Sequence, residues 1–464
     1  MTYAPNADAP APATRSPNAD APAPETRGLK AANSLGLVFF PAFDWAISPT
    51  HPEREERLLY TRDQLREEGL FDVPGILEHR TEMAAMSDIS RVHFCPPGFD
   101  NVVEIPHLAS AGSAVSAAKL VMEGKCAKAF ALTRPPGHHA MKVVQGGRGF
   151  CSVNIEAVMI ERLRRDFGVR RVAIVDTDCH HGDGSQDIYW HDPDTLFISI
   201  HQDGRTLYPG TGFPHETGGP SAAGSTVNIP LPPRTGDEGF LLAADEIVRP
   251  LLDAWKPDLV VNSAGQDNHF SDPITDMRLS ARGYARMVSS INPDIAVLEG
   301  GYSIQGALPY VNLAVILALA GMDFSRVVEP AWREDLAATA PDSLAYIKRL
   351  RDNTLTAFRR PAPASGYRRE GGWFTRERDV YYDTDGIHEQ QQERLRACGN
   401  CPGLLVIRTR THYSGRTTCI HIPRPACPAC AAAGNDARRE AERDKEAWEF
   451  SDQQQDVYQR SGHV

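Results

Sequence analysis

Residues 175–184, VDTDCHHGDG, place three aspartates and two adjacent histidines directly after an apolar run. Ionisable groups at the end of a buried strand are costly unless something compensates them, and a metal ion fits this set best. Asp178 and His180 are separated by one residue, so on an extended strand end they share a face and can grip one ion. Asp267, in GQDNH after a different apolar run, is the best third ligand. Two carboxylates and one imidazole leave a tetrahedral Zn²⁺ with an open position, as hydrolysis needs, while Fe²⁺ or Co²⁺ would accept the same donors.

Proton carriers come next. His138 and His139 are adjacent in RPPGHHA, where two prolines stiffen the approach and Gly137 permits a tight path. Neighbours at a strand end point in different directions, which suits a general acid and a general base of unequal proton affinity. Asp176 and Asp183 are the carboxylates placed to orient the two rings. Tyr302, after two glycines in LEGGYS, can approach closely and donate its hydroxyl to a developing oxyanion.

Positioning these groups requires strands. From Leu35 to about residue 345 the chain alternates short aliphatic runs with longer amphipathic segments, the pattern of an α/β fold with an open, mainly parallel sheet flanked by helices. The runs at 35–40, 129–133, 171–176, 195–200, 258–263 and 294–299 are predicted strands, and 109–124 and 237–255 are predicted helices. Five of the strands run directly into polar clusters, so one sheet edge collects the reactive groups, where open parallel sheets form their sites.

Composition bounds the function. The chain has 464 residues, 41% hydrophobic, with a formal net charge of −11, which argues against a general polyanion binder. The start has no basic segment followed by an apolar stretch, and VNLAVILALAG near Val311 is too short to span a bilayer, so the expectation is a cytoplasmic protein without membrane contact. Nine cysteines, an odd number, do not suggest a disulfide framework.

RPPGHHA, GFCSVN, DTDCHHGDG, PGTG, the Asp267 loop and LEGGYS, in this order between residues 35 and 345, resemble the zinc-dependent histone deacetylase family of the arginase/deacetylase fold. The glutamate of LEGGY and the SAG before Gln266 resemble the class II branch and its bacterial relatives. The resemblance implies catalytic Zn²⁺ on Asp178, His180 and Asp267, proton transfer by His138 and His139, and Tyr302 polarising an amide carbonyl. It also implies K⁺ near Asp176, Asp178, His180 and Ser199, and a tunnel for an acyl-lysine side chain lined by Phe150 and Tyr208. Gln266 stands where class II members commonly carry Phe, Ser152 replaces a usual aromatic, and Tyr208 stands where Phe is frequent, which implies a wider or more polar tunnel. The arginase branch would need a second metal and a D-x-H-x-D run, whereas His181, Gly182 and Asp183 continue an HHGDG pattern.

Five segments are expected: a Pro/Ala-rich disordered extension (1–34), a catalytic domain (35–345), a linker (346–390), a zinc ribbon (391–435) and a charged helix and tail (436–464). Cys398, Cys401, Cys427 and Cys430 form two C-x-x-C knuckles, the spacing of a structural Cys₄ Zn²⁺, with Cys419 and His421 as spare candidates. The Arg-rich stretch between Lys348 and Arg424 reads as a solvated face rather than a nucleic-acid surface. The expected activity is hydrolysis of acyl-lysine side chains, foremost acetyl-lysine, in proteins. Acetylpolyamines and other small acylated amines are the alternative substrates, and a binding or regulatory protein acting through the ribbon is the alternative of another class. A homo-oligomer is compatible with this reading.

Overall fold

The computed structural model describes residues 29–42, 45–48, 50–98 and 101–461. Residues 1–28 of the expected extension lie outside them.

The first sheet holds β1 (Leu35–Phe40), β2 (Ile76–His79), β3 (Lys128–Thr133), β4 (Val172–Asp176), β5 (Thr195–Gln202), β6 (Thr226–Leu231), β7 (Leu259–Ala264) and β8 (Ile295–Leu298). All pairs are parallel, in the order β2-β1-β3-β8-β7-β4-β5-β6. This is the open parallel sheet that the sequence predicts, with two edge strands added. β6 carries Pro230, which an edge position tolerates, and β2 is only four residues long.

Side-chain alternation builds a core on each face. Ala173 and Val175 of β4 join one apolar cluster, with the helices Glu56–Glu67, Ala281–Ile291 and Leu308–Leu319, while Val172 and Ile174 join the other, with Ile105–Met122 and Ile155–Phe167. Because both faces are covered, the strands read as continuous apolar runs, and the buried polar groups at their carboxyl ends break that pattern. Among the described residues no helix is long and apolar enough to cross a membrane.

The C-terminal region departs from the predicted boundaries. Residues 346–390 are not a linker: the helix Pro341–Arg359 packs Ile347 and Leu350 into the first core, and two strands and part of a third follow. β9 (Arg368–Glu370), β10 (Trp373–Tyr382), β11 (Ile387–Arg396), β12 (Leu405–Thr411), β13 (Thr417–Ile422), β14 (Ala447–Asp452) and β15 (Val457–Arg460) form a second sheet, antiparallel except for β13 with β14. Residues 436–464 are likewise not a tail: the helix Pro428–Arg443 leads into β14 and β15. The two C-x-x-C knuckles sit at one end of this sheet, as the ribbon expectation has it, inside a larger unit. Cys419 is buried in β13 and His421 faces Ser451, apart from the four knuckle cysteines.

This second sheet buttresses the chain just after the histidine pair. Phe94 and Val143 pack with Leu395, Leu405, Ile407 and Cys419, and Met141 packs with Val380 and Tyr382. The Tyr382 hydroxyl donates to the Val143 carbonyl at 2.6 Å. One contact across this junction is strained electrostatically: Glu449 accepts the Cys95 amide at 3.0 Å, and burial pushes its pKa from 4.5 to about 7. A carboxyl with a raised folded-state pKa favours folding while protonated and loses that contribution as pH climbs from 4.5 through 7. Glu449→Gln is therefore expected to raise the melting temperature at pH 8, with a ceiling of about 3 kcal/mol, and to make no difference at pH 4. Thermal unfolding of both proteins at the two pH values checks this.

Candidate metal centre and active site

Four strands deliver the candidate metal ligands and proton carriers. β4 ends in Asp176 and leads to Asp178 and His180; β7 leads to Asp267; β3 leads to His138 and His139; β8 leads to Glu299 and Tyr302. One donor atom from each of Asp178, His180 and Asp267 lies within 4.8 Å of the others, and all three residues are buried. His180 Nδ1 is 3.1 Å from Asp178 Oδ1 and 3.0 Å from Asp267 Oδ2. The remaining carboxylate oxygens are held from behind: Asp178 Oδ2 accepts the Gly300 amide at 2.8 Å, and Asp267 Oδ1 accepts the Cys179 amide at 2.8 Å. Each carboxylate thus turns its other oxygen toward a common point, an arrangement that fixes ligand orientation. Gly300 belongs to this construction, since a Cβ there would lie 2.5 Å from Asp267 Oδ2 and 2.6 Å from Asp178 Oδ2. Two buried carboxylates this close repel each other, and the charge of Asp178, after burial itself, pushes the Asp267 pKa up. A divalent cation removes that conflict, so the donor set fits Zn²⁺ in charge, atom type and spacing.

Each histidine of the pair meets a carboxylate. His138 donates through Nδ1 to Asp176 Oδ2 at 3.1 Å, and His139 donates through Nδ1 to Asp183 Oδ1 at 2.7 Å. Burial opposes the charged ring of His138, but the Asp178 and Asp176 carboxylates outweigh it and hold its pKa well above 6.5. A cation seated on Asp178 withdraws part of that pull. Burial, then the neighbouring charge on His138, pushes His139 down to about 3. The two rings, 4.1 Å apart between centroids, therefore differ in proton affinity, which is the condition for dividing acid and base roles. Glu299 steadies the loop by accepting the amides of Gly137 (2.7 Å) and His138 (3.0 Å).

Tyr302 is set by its backbone. Its amide donates to Asp272 at 2.8 Å, and the buried Arg57 donates to the carbonyls of Gly301 (2.7 Å) and Glu299 (2.5 Å). Gly301 takes φ +122, open only to glycine without strain. Burial raises the Tyr302 pKa well above 10, so the phenol stays a proton donor.

The residues expected to line a tunnel divide. Phe150, half-buried, meets Tyr302 edge-on at 5.7 Å, and Tyr208 meets His139 at 5.2 Å and His180 at 6.3 Å. Gln266 does not join them: it is buried, and its amide donates to Asn312 Oδ1 at 3.2 Å, because the residue beside Asp267 points the opposite way. Ser199 pairs in register with Asp176, while its hydroxyl bonds His201 at 2.8 Å.

Several groups at the site escape sequence reading. Arg148 grips Asp183 through Nε (3.0 Å) and Nη2 (2.6 Å), extending the His139 relay outward. The turn between β10 and β11 reaches the same place from the second sheet. Asp383 accepts the Tyr208 hydroxyl at 2.9 Å and the Gly149 amide at 3.2 Å, Asp385 accepts the Gly147 amide at 2.6 Å, and Arg148 also donates to the Tyr381 carbonyl. Only an acidic turn in a stretch read as linker could have signalled this. Losing one such bond costs about 1 kcal/mol. Asp383→Ala is therefore expected to raise KM about fivefold with kcat nearly unchanged, and Asp383→Asn, which keeps an acceptor, restores most of it. Steady-state kinetics on the three proteins checks the split.

Fold and site together define a hydrolase acting on amides. The histone deacetylase domain family matches residues 99–319. The chain is 47% identical over 310 residues to a probable deacetylase of Archaeoglobus fulgidus, covering 61% of this chain and 85% of that one. It is 36% identical over 222 residues to a histone deacetylase-like amidohydrolase of Pseudomonas aeruginosa (46% and 57% covered). It is 39% identical over 201 residues to an acetylpolyamine amidohydrolase of Burkholderia pseudomallei (42% and 57% covered). Its structure matches the crystal structure of the HDA15 HD domain with a TM-score of 0.62 at 26% identity, over 71% of this chain and 96% of that one. The chain belongs to the histone deacetylase family.

Proposed function

We propose that this protein is a zinc-dependent deacylase that removes acyl groups, foremost acetyl, from lysine side chains of proteins. The observation that carries the reading is the convergence of Asp178, His180 and Asp267 on one point beside two carboxylate-oriented histidines. A bound divalent cation supplies Lewis acidity toward the amide carbonyl and makes a nearby water more acidic. The chain's own residues do the rest. The His138 and His139 pair takes a proton from water and returns one to the leaving amine, with Asp176 and Asp183 holding the rings. Tyr302 donates its hydroxyl to the oxyanion that develops on the carbonyl. Phe150 and Tyr208 flank the acyl-lysine, and the products are a carboxylate and a free amine.

A second substrate class, small acylated polyamines, is supported by the exposed carboxylates of Asp383, on the Tyr208 hydroxyl, and Asp385, on the Gly147 amide, which favour a cationic body. Chelator-sensitive release of acetate from acetyl-lysine peptides and from acetylated polyamines, measured side by side, tests both. Faster peptide turnover supports the first reading, faster polyamine turnover the second, and no release from either ends both.

Cys398, Cys401, Cys427 and Cys430 hold a structural Zn²⁺ in this proposal. Their sulfurs lie within 4.8 Å of one another, Arg396 donates to Cys430 Sγ at 2.9 Å, and the Asn400 amide draws the Cys398 pKa down to about 6. Burial pushes the Cys401 and Cys430 thiols up instead, so the reading rests on the C-x-x-C spacing and the closeness of the four sulfurs, with donors to sulfur favouring bound thiolates. A K⁺ site at Asp176 and Ser199 rests on the family resemblance and the β4–β5 register.

A further inference from the structure

Between the two sheets lies a cavity of ≈ 330 Å³ to which both units contribute walls. None of Asp178, His180, Asp267, His138, His139 and Tyr302 lines it. Its walls are largely apolar, with Val92, Val169 and Ile188 from the first unit and Leu395 and Leu405 from the second. The size is that of a small-molecule site.

Lys142 stands in this wall, 6% exposed. Among the described residues its ammonium has no hydrogen-bond or ion-pair partner. The carboxylates around it are already engaged: Glu161 with Arg164 and Arg424, Asp192 with Arg164, Asp187 with Arg378, and Glu393 with Arg376 and His191. The arginines on the wall likewise have carboxylate partners, Arg91 with Asp88 and Arg170 with Asp194 completing the set. Burial depresses the Lys142 pKa below 10.5 against the pull of those four carboxylates. A buried ammonium that no carboxylate contacts directly is costly for the fold, and an anion placed against it lowers that cost.

We propose that this cavity is a binding site for a small carboxylate with an apolar body, its carboxylate seated on the Lys142 ammonium. One free cation matches a monoanion. The Tyr189 hydroxyl and His191 Nδ1, also without partners among the described residues, add neutral donors only, so the free charge in these walls suits a monoanion better than a phosphate dianion. The long wall of aliphatic side chains takes a hydrocarbon body, so octanoate is a suitable probe.

The test uses the full-length protein. Octanoate is expected to bind saturably at one site per chain and to raise the melting temperature. Octanol, of equal length without charge, and octanoate with Lys142→Met are each expected to bind at least about tenfold more weakly, the loss for a charge-assisted bond. Methionine has nearly the volume of lysine and brings no unpaired charge, so the variant keeps the fold. 8-Bromooctanoate soaked into crystals of the wild-type protein should give an anomalous peak beside Lys142. Equal binding of octanol and octanoate, unaltered binding by Lys142→Met, a peak elsewhere, or no saturable binding overturns the proposal.

Discussion

Tyr302→Phe is expected to keep its metal content and melting temperature while turning over amide substrate at least about 100-fold more slowly, the loss seen when one oxyanion donor is removed. The asymmetry follows from what holds the residue. Its backbone is fixed by Asp272 and by the Arg57 grip on Gly301, and its ring lies 5.0 Å under the Arg57 guanidinium and edge-on to Phe150. Phenylalanine keeps all of these contacts. Among the described residues nothing hydrogen-bonds the Tyr302 hydroxyl, so its removal orphans no partner and costs little stability. The loss should therefore fall on kcat, with KM nearly unchanged, because the hydroxyl is needed only as charge builds on the carbonyl oxygen. Single-turnover kinetics and metal analysis of the variant check it, and near-normal turnover would remove Tyr302 from the mechanism.

What could be read from the sequence tracks how each group is buried. β4, β5, β7 and β8 are mainly apolar, so the abrupt arrival of Asp, His and Gly after them stands out, and Asp178, His180 and Asp267, which the structure brings together, are legible there. β11 fails the same test. Its inward positions are Glu389, Gln391, Glu393 and Leu395, so the alternation that defines a half-buried strand is written mostly in polar residues. Glu393 is satisfied by Arg376 and His191, and Glu389 by Tyr382, Gln391 and Thr409, partners that only strand formation, strand pairing and the packing of the two sheets bring to them. Glu53, Arg57 and Arg134 hid for the same reason. All three are fully buried, yet charged residues in or before a helix, or at a strand end, read as surface until the Glu53–Arg134 pairing across 81 residues is known. Asp383 is a further case, since a turn acid acquires meaning only when a second sheet carries it to Tyr208.

The largest expected effect belongs to Asp267. Full-length protein should carry two equivalents of zinc, one on the Asp178, His180 and Asp267 set and one on the four cysteines. Asp267→Ala should retain one equivalent and lose hydrolysis to background, whereas Cys427→Ser with Cys430→Ser should retain one equivalent together with hydrolysis, at lower thermal stability. The two variants separate the sites by which equivalent carries the chemistry. Retention of both equivalents by Asp267→Ala would show that the third ligand is misassigned. The alanine also deprives the Cys179 amide of its acceptor, a cost of about 1–3 kcal/mol that could lower stability without reference to metal. Asp267→Asn resolves this, because its amide oxygen can still accept from Cys179 while the negative charge beside Asp178 is gone. In chelated protein the Asn variant should melt above the wild type, since the like-charge conflict between two buried carboxylates has been removed. With zinc supplied the order should reverse, because only the wild type gains stability by binding the ion at that site. A crossover of this kind follows from a metal centre and would not follow from Asp267 as a purely structural carboxylate.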